Sequence, residues 1–187
     1  ITDNQGLGTI TNDDSATLSI SAPAITETNV DQTVEFTVTV DAAVQGGFDV
    51  AFSDALLGTT IADDYTLVGV SPLSFVGTAN ESHTIAVTIT GDNIVELSET
   101  FTITLDDVSN TSAFQDAAIT TGDSAQATIT DNDAATFTID DQTVAENGTL
   151  TFTISLDNPV DTAVAVDVSY ADVAAGAVTI PGDFDHT

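Results

Sequence analysis

The chain has 187 residues, with 30 Asp plus Glu and neither Lys nor Arg, so its formal charge is −30. Such a surface repels phosphate, which excludes a DNA or RNA backbone as partner and disfavours an anionic membrane face; what it attracts is cations. Hydrophobic residues make up 42%, too many for a disordered acidic tail, and they come in short runs, none long enough to span a bilayer.

Cys is absent, so disulfides cannot staple the fold and another kind of cross-link is expected in their place. The chain starts inside a strand-like pattern at Ile1, with no charged-then-apolar leader. It reads as an excerpt from a longer protein.

The first recognisable stretch is "TITNDDSATLSI", residues 9–20, which returns almost unchanged as "TITDNDAATFTI", residues 128–139. Between the two copies the pattern has period two. Val34, Phe36, Val38 and Val40 alternate with Glu35, Thr37, Thr39 and Asp41. The runs Ile85–Val87–Ile89, Phe101–Ile103–Leu105 and Leu150–Phe152–Ile154–Leu156 alternate in the same way. Alternation rich in Val, Ile, Phe and Thr predicts half-buried strands in antiparallel sheets. Gly46-Gly47, Gly91-Asp92-Asn93 and Asp157-Asn158-Pro159 separate the runs as turns. No helical stretch is expected. Short strands with turns between them predict an all-β fold of Ig-like antiparallel β-sandwiches, with seven strands in 15–133. Tyr65, Phe52, Phe75 and Phe101 are expected in its core.

The offset of 119 residues recurs. Glu27 of "ITETN" matches Glu146 of "VAENG", and Asp64 of "DDYT" matches Asp183 of "GDFDHT". "EFTVTVD" from residue 35 has its counterpart in "TFTISLD" from 151, at an offset of 116. One repeat is therefore about a domain long. The division expected is the last strand of one repeat in 1–14, a whole repeat in 15–133, and the first half of another in 134–187. The half repeat leaves an inner face bare, which a neighbouring copy could complete, with 1–14 as a donated strand.

Within the whole repeat, acids fall at strand ends. Glu27 follows the first strand, and Asp64 precedes the strand of Tyr65. Asp92, Glu96 and Glu99 occupy "GDNIVELSETF", while Asp131 and Asp133 flank Asn132 after the last strand. Alternate strand ends of a sandwich share a pole, where gathered carboxylates repel one another unless a cation joins them. Many hard oxygen donors without His, Cys or Lys suit Ca²⁺. The plain alternative is that an acid-rich chain places acids in solvated loops in any case.

"ITGDNIVELSETFTITL" resembles the acidic loop and E-x-x-E-x-F strand start of the Calx-beta domain. "DDYT" is similar to that family's D-Y step and "DND" to its closing acidic triplet. The family occurs in sodium–calcium exchangers, integrin β4 and large bacterial surface proteins. The resemblance covers 15–133 and, in part, both flanks. It implies a β-sandwich with calcium ligands at Glu27, Asp64, Asp92, Glu96, Glu99, Asp131 and Asp133. The repeat counterparts Glu146 and Asp183 extend that set. The family's strongest binders carry consecutive acids where this chain has Gly91-Asp92-Asn93, and an all-acid triplet where it has Asn132. Fewer or weaker ions follow from those departures.

Other motifs carry less. "GDS" at 122–124 has no elbow pattern and no His placed beside it. Without Lys or Arg to stabilise an anion, catalysis is not expected. His83 is expected at a strand entrance, and His186 lies near the chain end. Asn80, Asn110 and Asn147 open N-x-[ST] sequons that chance explains. The function expected is a calcium-stiffened spacer of a large extracellular or cell-surface protein, bacterial, an adhesin or filament. Its partners would be neighbouring repeats, and other copies in a filament. The alternative is a calcium-sensing module that changes interdomain geometry, which needs a bistable hinge.

Overall fold

The computed structural model describes residues 5–57, 64–111, 113–145 and 147–169. It divides into two compact units, one of 1–92 with 97–132, the other of 93–96 with 133–187.

Among the described residues the first unit holds ten strands. In chain order they are β1 (Ala16–Ser21), β2 (Ile25–Thr26), β3 (Gln32–Val40), β4 (Phe48–Leu57), β5 (Tyr65–Leu67) and β6 (Leu73–Phe75). Then come β7 (Ser82–Ile89), β8 (Glu99–Ser109), the one-turn helix α1 (Ala113–Asp116), β9 (Ile119–Thr120) and β10 (Ser124–Thr130). They form two five-stranded sheets, ordered β5-β7-β3-β1-β9 and β2-β10-β8-β4-β6. The expectation of seven strands is corrected to ten. The extra ones are among β2, β5, β6 and β9, each two or three residues long, which is too short for alternation to show. The all-β reading holds: α1 is a single turn of four residues, too short for a helical period.

The strand of alternating residues that begins at Ala16 does not stay in one sheet. Pro23 interrupts it: proline has no N–H to give a ladder. The chain leaves β1 in the first sheet and re-pairs as β2 in the second, parallel to β10 through Ile25↔Ile129 and Thr26↔Thr130. Gly122, at φ 85°, makes the matching switch between β9 and β10; that left-handed conformation suits glycine. Both sheets thereby end in short strands, which limits edge-to-edge pairing.

The inward faces make one core. Leu18, Phe36, Val38, Val40, Ile85, Val87 and Ile89 from the first sheet meet Val50, Phe101, Ile103, Leu105 and Ala127 from the second. Phe101 lies at the centre, with its ring 5.7 Å from that of Phe36 and stacked at 4.0 Å on Tyr65. Fully burying such a side chain contributes about 1.5–3 kcal/mol. Tyr65, Phe52 and Phe75 are buried with it.

The second unit contributes β11 (Phe137–Ile139) and β12 (Ile154–Leu156), an antiparallel pair. Val95 adds a parallel bridge to Val160. Of the strand expected over Leu150–Leu156, the ladder includes only the last three residues. Phe137, Ile139 and Phe152 are exposed.

Candidate metal centre

Five strand ends of the first unit meet at one pole. β2 and β10 finish there side by side, β8 starts there with Glu99 opposite Ile129, and β7 ends there with Ile89 opposite Tyr65 of β5. The acids expected as ligands sit on these ends because each strand terminates or starts at one.

Glu27 follows β2 directly. Its N–H donates to Thr130 O at 2.9 Å, which fixes it beside the residue that precedes Asp131. Glu27 is 5% exposed, the one buried charged residue among the described residues. Asp92 N–H donates to Glu27 Oε1 at 3.3 Å. The two side chains offer carboxylate oxygens within 4.8 Å of each other. Two unit charges that close repel by at least about 3 kcal/mol at an effective dielectric of 20. The chain has no Lys or Arg to offset that repulsion.

Asp64 enters through its backbone. Its carbonyl accepts from Thr90 N–H at 2.9 Å, two residues before Asp92. Its Oδ2 is buried and takes no hydrogen bond among the described residues. A buried carboxylate oxygen left unpaired is costly unless something else coordinates it. Its neighbour Tyr65 donates from its hydroxyl to Asp54 Oδ2 at 2.8 Å. Burial and the Asp54 carboxylate together push the Tyr65 phenol well above its ordinary value. Asp54 was not among the residues singled out from sequence.

The remaining acids divide. Glu99 opens β8 and Asp131 follows β10, both half-buried in the first unit. Glu96 and Asp133 belong to the second unit and are half-buried there. Glu146 and Asp183 lie outside the described residues. The set is all hard oxygen, which fits Ca²⁺ better than a softer metal.

Elsewhere the motifs have structural roles. In "GDS", Asp123 Oδ2 accepts from Ile20 N–H at 3.0 Å and Oδ1 from Ser124 N–H at 3.0 Å, which stitches the strand switch to β1. His83 Nε2 bonds Glu81 Oε1 at 2.9 Å, with its ring edge-on to Phe75. A cavity of about 560 Å³ lies at the opposite end of the sandwich, lined by Asn12, Asp14, Ser15, Gln45, Gln115 and Ile119 among others. It brings a single carboxylate and no cluster of titratable groups. No helix among the described residues is long and apolar enough to cross a membrane.

A two-sheet sandwich with acids on the strand ends of one pole is the class that the fold and the site define. The family model for the Calx-beta domain matches residues 11–133. The chain belongs to the Calx-beta domain family. Among solved structures it is similar to the apo-form Calx CBD1 domain, with 17% identity and a TM-score of 0.49, over 64% of this chain and 100% of that one. It is also similar to the Calx CBD2 domain, with 10% identity and a TM-score of 0.46, over 65% and 91%. A third is the calcium binding domain CBD12 of CALX1.1, with 18% identity and a TM-score of 0.44, over 61% of this chain and 44% of that one. No curated protein matches the chain.

Proposed function

We propose that the first unit is a calcium-binding β-module that serves as a stiff spacer in a large extracellular or cell-surface protein. The carrying observation is the buried Glu27 carboxylate within 4.8 Å of that of Asp92, in a chain without Lys or Arg. Asp64, with its unpaired buried Oδ2, supplies the next oxygen. Glu99 and Asp131 complete the proposed donor set within the first unit. Calcium would contribute the positive charge that these carboxylates lack, with oxygens in the irregular geometry that this ion accepts. Membership of the Calx-beta family supports the reading, as does the calcium named for CBD12 of CALX1.1.

The spacer role is supported by chain continuity. The first unit's last segment ends at Asn132 and the chain passes directly into Asp133 of the second, with no run of Gly, Ser or Pro between. An abrupt triplet-to-strand junction suits a rod better than a flexible tether. Bacterial adhesins or filaments are the proposed setting, and neighbouring repeats the proposed partners. No catalytic role is assigned.

The test is thermal unfolding of the full chain in millimolar calcium and in chelator at matched ionic strength. A higher midpoint in calcium, lost in Glu27→Gln and Asp92→Asn, is the expected result. Equal midpoints in the two buffers would sink the calcium reading. Small-angle scattering that shows the same stiffness with and without calcium would sink the spacer reading alone.

A further inference from the structure

The strongest unclaimed feature lies beside the proposed ligands. Gly91 N–H donates to Asp31 Oδ1 at 3.1 Å, one residue before Asp92 N–H reaches Glu27 Oε1. Both bonds join the same two segments, the turn 27–31 after β2 and the end of β7. The turn is itself folded back, with Thr28 Oγ1 donating to Val30 O at 2.8 Å. It is held at both ends. Gln32 Nε2 donates to Thr26 O at 2.5 Å, and Gln32 pairs with Ile89 in the first sheet.

Gly91 takes part by having no side chain. A Cβ there would collide with the Thr28 carbonyl oxygen and with the Val30 carbonyl. All the obstructing atoms are backbone, of a turn pinned at both ends, so no flexible tip can give way. The turn packs where a side chain at 91 would stand, and that packing sets Glu27 against Asp92.

We infer that Asp31 and Gly91 form a latch which positions Glu27 and Asp92, and that Gly91 limits how many carboxylates this pole can present to an ion. Asp31 is a positioning residue and Gly91 the determinant of ion number and affinity. The inference rests on the calcium reading above. It reverses what charge counting predicts. An acid at 91 would add a negative group to a cation site, which Coulomb attraction favours. Packing requires the opposite, because the new Cβ drives the 27–31 turn away and separates Glu27 from Asp92.

The experiment is calcium titration calorimetry on the full chain, wild type beside Gly91→Ala, Gly91→Asp, Asp31→Ala and Asp31→Asn. Loss of groups that orient metal ligands typically weakens binding by about 10- to 100-fold. A loss of that order is expected in both Gly91 variants and in Asp31→Ala. Asp31→Asn should bind like wild type, because its amide oxygen still accepts the Gly91 N–H. Tighter binding or an extra ion in Gly91→Asp would overturn the inference, and so would equal weakening in Asp31→Asn and Asp31→Ala. Asp31→Ala removes atoms and adds none, so it decides the question even if the Gly91 variants fail to fold. If wild type takes up no calcium, the calcium reading falls. The latch is then judged in chelator by hydrogen exchange at the Gly91 amide, and exchange that Asp31→Ala leaves unchanged would overturn it.

Discussion

The pair β1–β3 in the first unit and the pair β11–β12 in the second are built alike and buried differently. In the first, Leu18 faces Val40 and Ile20 faces Val38; in the second, Phe137 faces Leu156 and Ile139 faces Ile154. Each is closed by an Asp. Thr17 N–H donates to Asp41 Oδ1 at 2.6 Å, and Thr136 N–H to Asp157 Oδ1 at 2.6 Å. Yet Leu18 is 1% exposed and Phe137 43%. Register is a local property, set by alternation and by the clamp at the end of the pair. Burial is not local, because it needs the second sheet that β8, β10 and β4 supply to β1 and β3.

The largest expected effect attacks that difference. Phe36 and Phe152 hold corresponding places, in "EFTVTVD" and "TFTISLD". Phe36 is fully buried and packs on Phe101, whereas Phe152 is 53% exposed. Phe36→Ala should cost about 3–5 kcal/mol in urea unfolding, through lost burial and the cavity left behind. Phe152→Ala should stay within about 0.5 kcal/mol. Equal losses would mean that Phe152 is covered in solution, and the contrast between the units would fail.

Calcium comes next. An ion at a hundred times its dissociation constant adds about 2.7 kcal/mol per site to the state that binds it. Amides in β3 and β7 should gain hydrogen-exchange protection of that order in calcium, while the Thr136 and Thr153 amides should change little. Protection that rises as much in β11–β12 would place a second ion in the second unit.

What sequence could show follows the same line between local and distant. Alternation from Val34 to Val40 and from Ile85 to Ile89 marks β3 and β7 because each strand is long enough to display a period. The strand switches at Pro23 and Gly122 leave two-residue strands whose identity comes from partners about a hundred residues away. The acidic pole was legible in outline at Asp92, Glu99 and Asp131, beside the ends of the long strands β7, β8 and β10, whereas Glu27 and Asp64 flank the short β2 and β5 and were marked by the repeat and the family resemblance. Asp31 was not, because it resembles any turn Asp, and its bond to Gly91 spans 60 residues. Asp54 was hidden in the same way, opposite Ile103 in the exposed second half of β4.

Smaller still is the turn that leads into β7. Glu81 accepts from the N–H groups of Val76 at 2.9 Å, Gly77 at 2.8 Å and Thr78 at 3.1 Å. Burial would raise its pKa, but His83 and then these amides outweigh burial and pull it down to about 2. A depressed carboxylate stabilises the fold above its unfolded value, near 4.5, and loses that contribution as pH falls toward about 2. Glu81→Gln should cost about 1–3 kcal/mol at neutral pH, the scale of bonds to a charged acceptor. It should also flatten the fall in stability between pH 4.5 and 2. An unchanged acid limb in the variant would show that Glu81 does not hold the turn. The β1–β3 pair touches this turn, since Val40 N–H donates to Glu81 O at 3.1 Å; the β11–β12 pair belongs to the other unit, so the Thr136 amide should not respond.

The smallest effect bears on what the two strand pairs share. If the Asp clamp sets register locally, it should work with or without a covering sheet. Asp41→Ala should then cost about 0.5–1.5 kcal/mol, one hydrogen bond's net worth. The β1–β3 register should survive, because the buried Leu18, Ile20, Val38 and Val40 enforce it. Asp157→Ala lacks that second constraint: Phe137 and Ile139 are exposed. There the loss should appear as faster exchange of the Thr136 amide and weaker pairing of Phe137 with Leu156. The Thr136 N–H bond to Asp157, resisted by slight desolvation and helped by the Asn158 N–H, holds this carboxyl below its ordinary 3.8. A depressed carboxylate stays charged through its ordinary range, so the clamp should hold as pH falls past 3.8 and open only below it. The Thr136 amide shift, followed by NMR, should report a midpoint under 3.8. A midpoint at or above that value, or an unchanged Thr136 amide in Asp157→Ala, would mean that register in the bare hairpin comes from side-chain alternation alone.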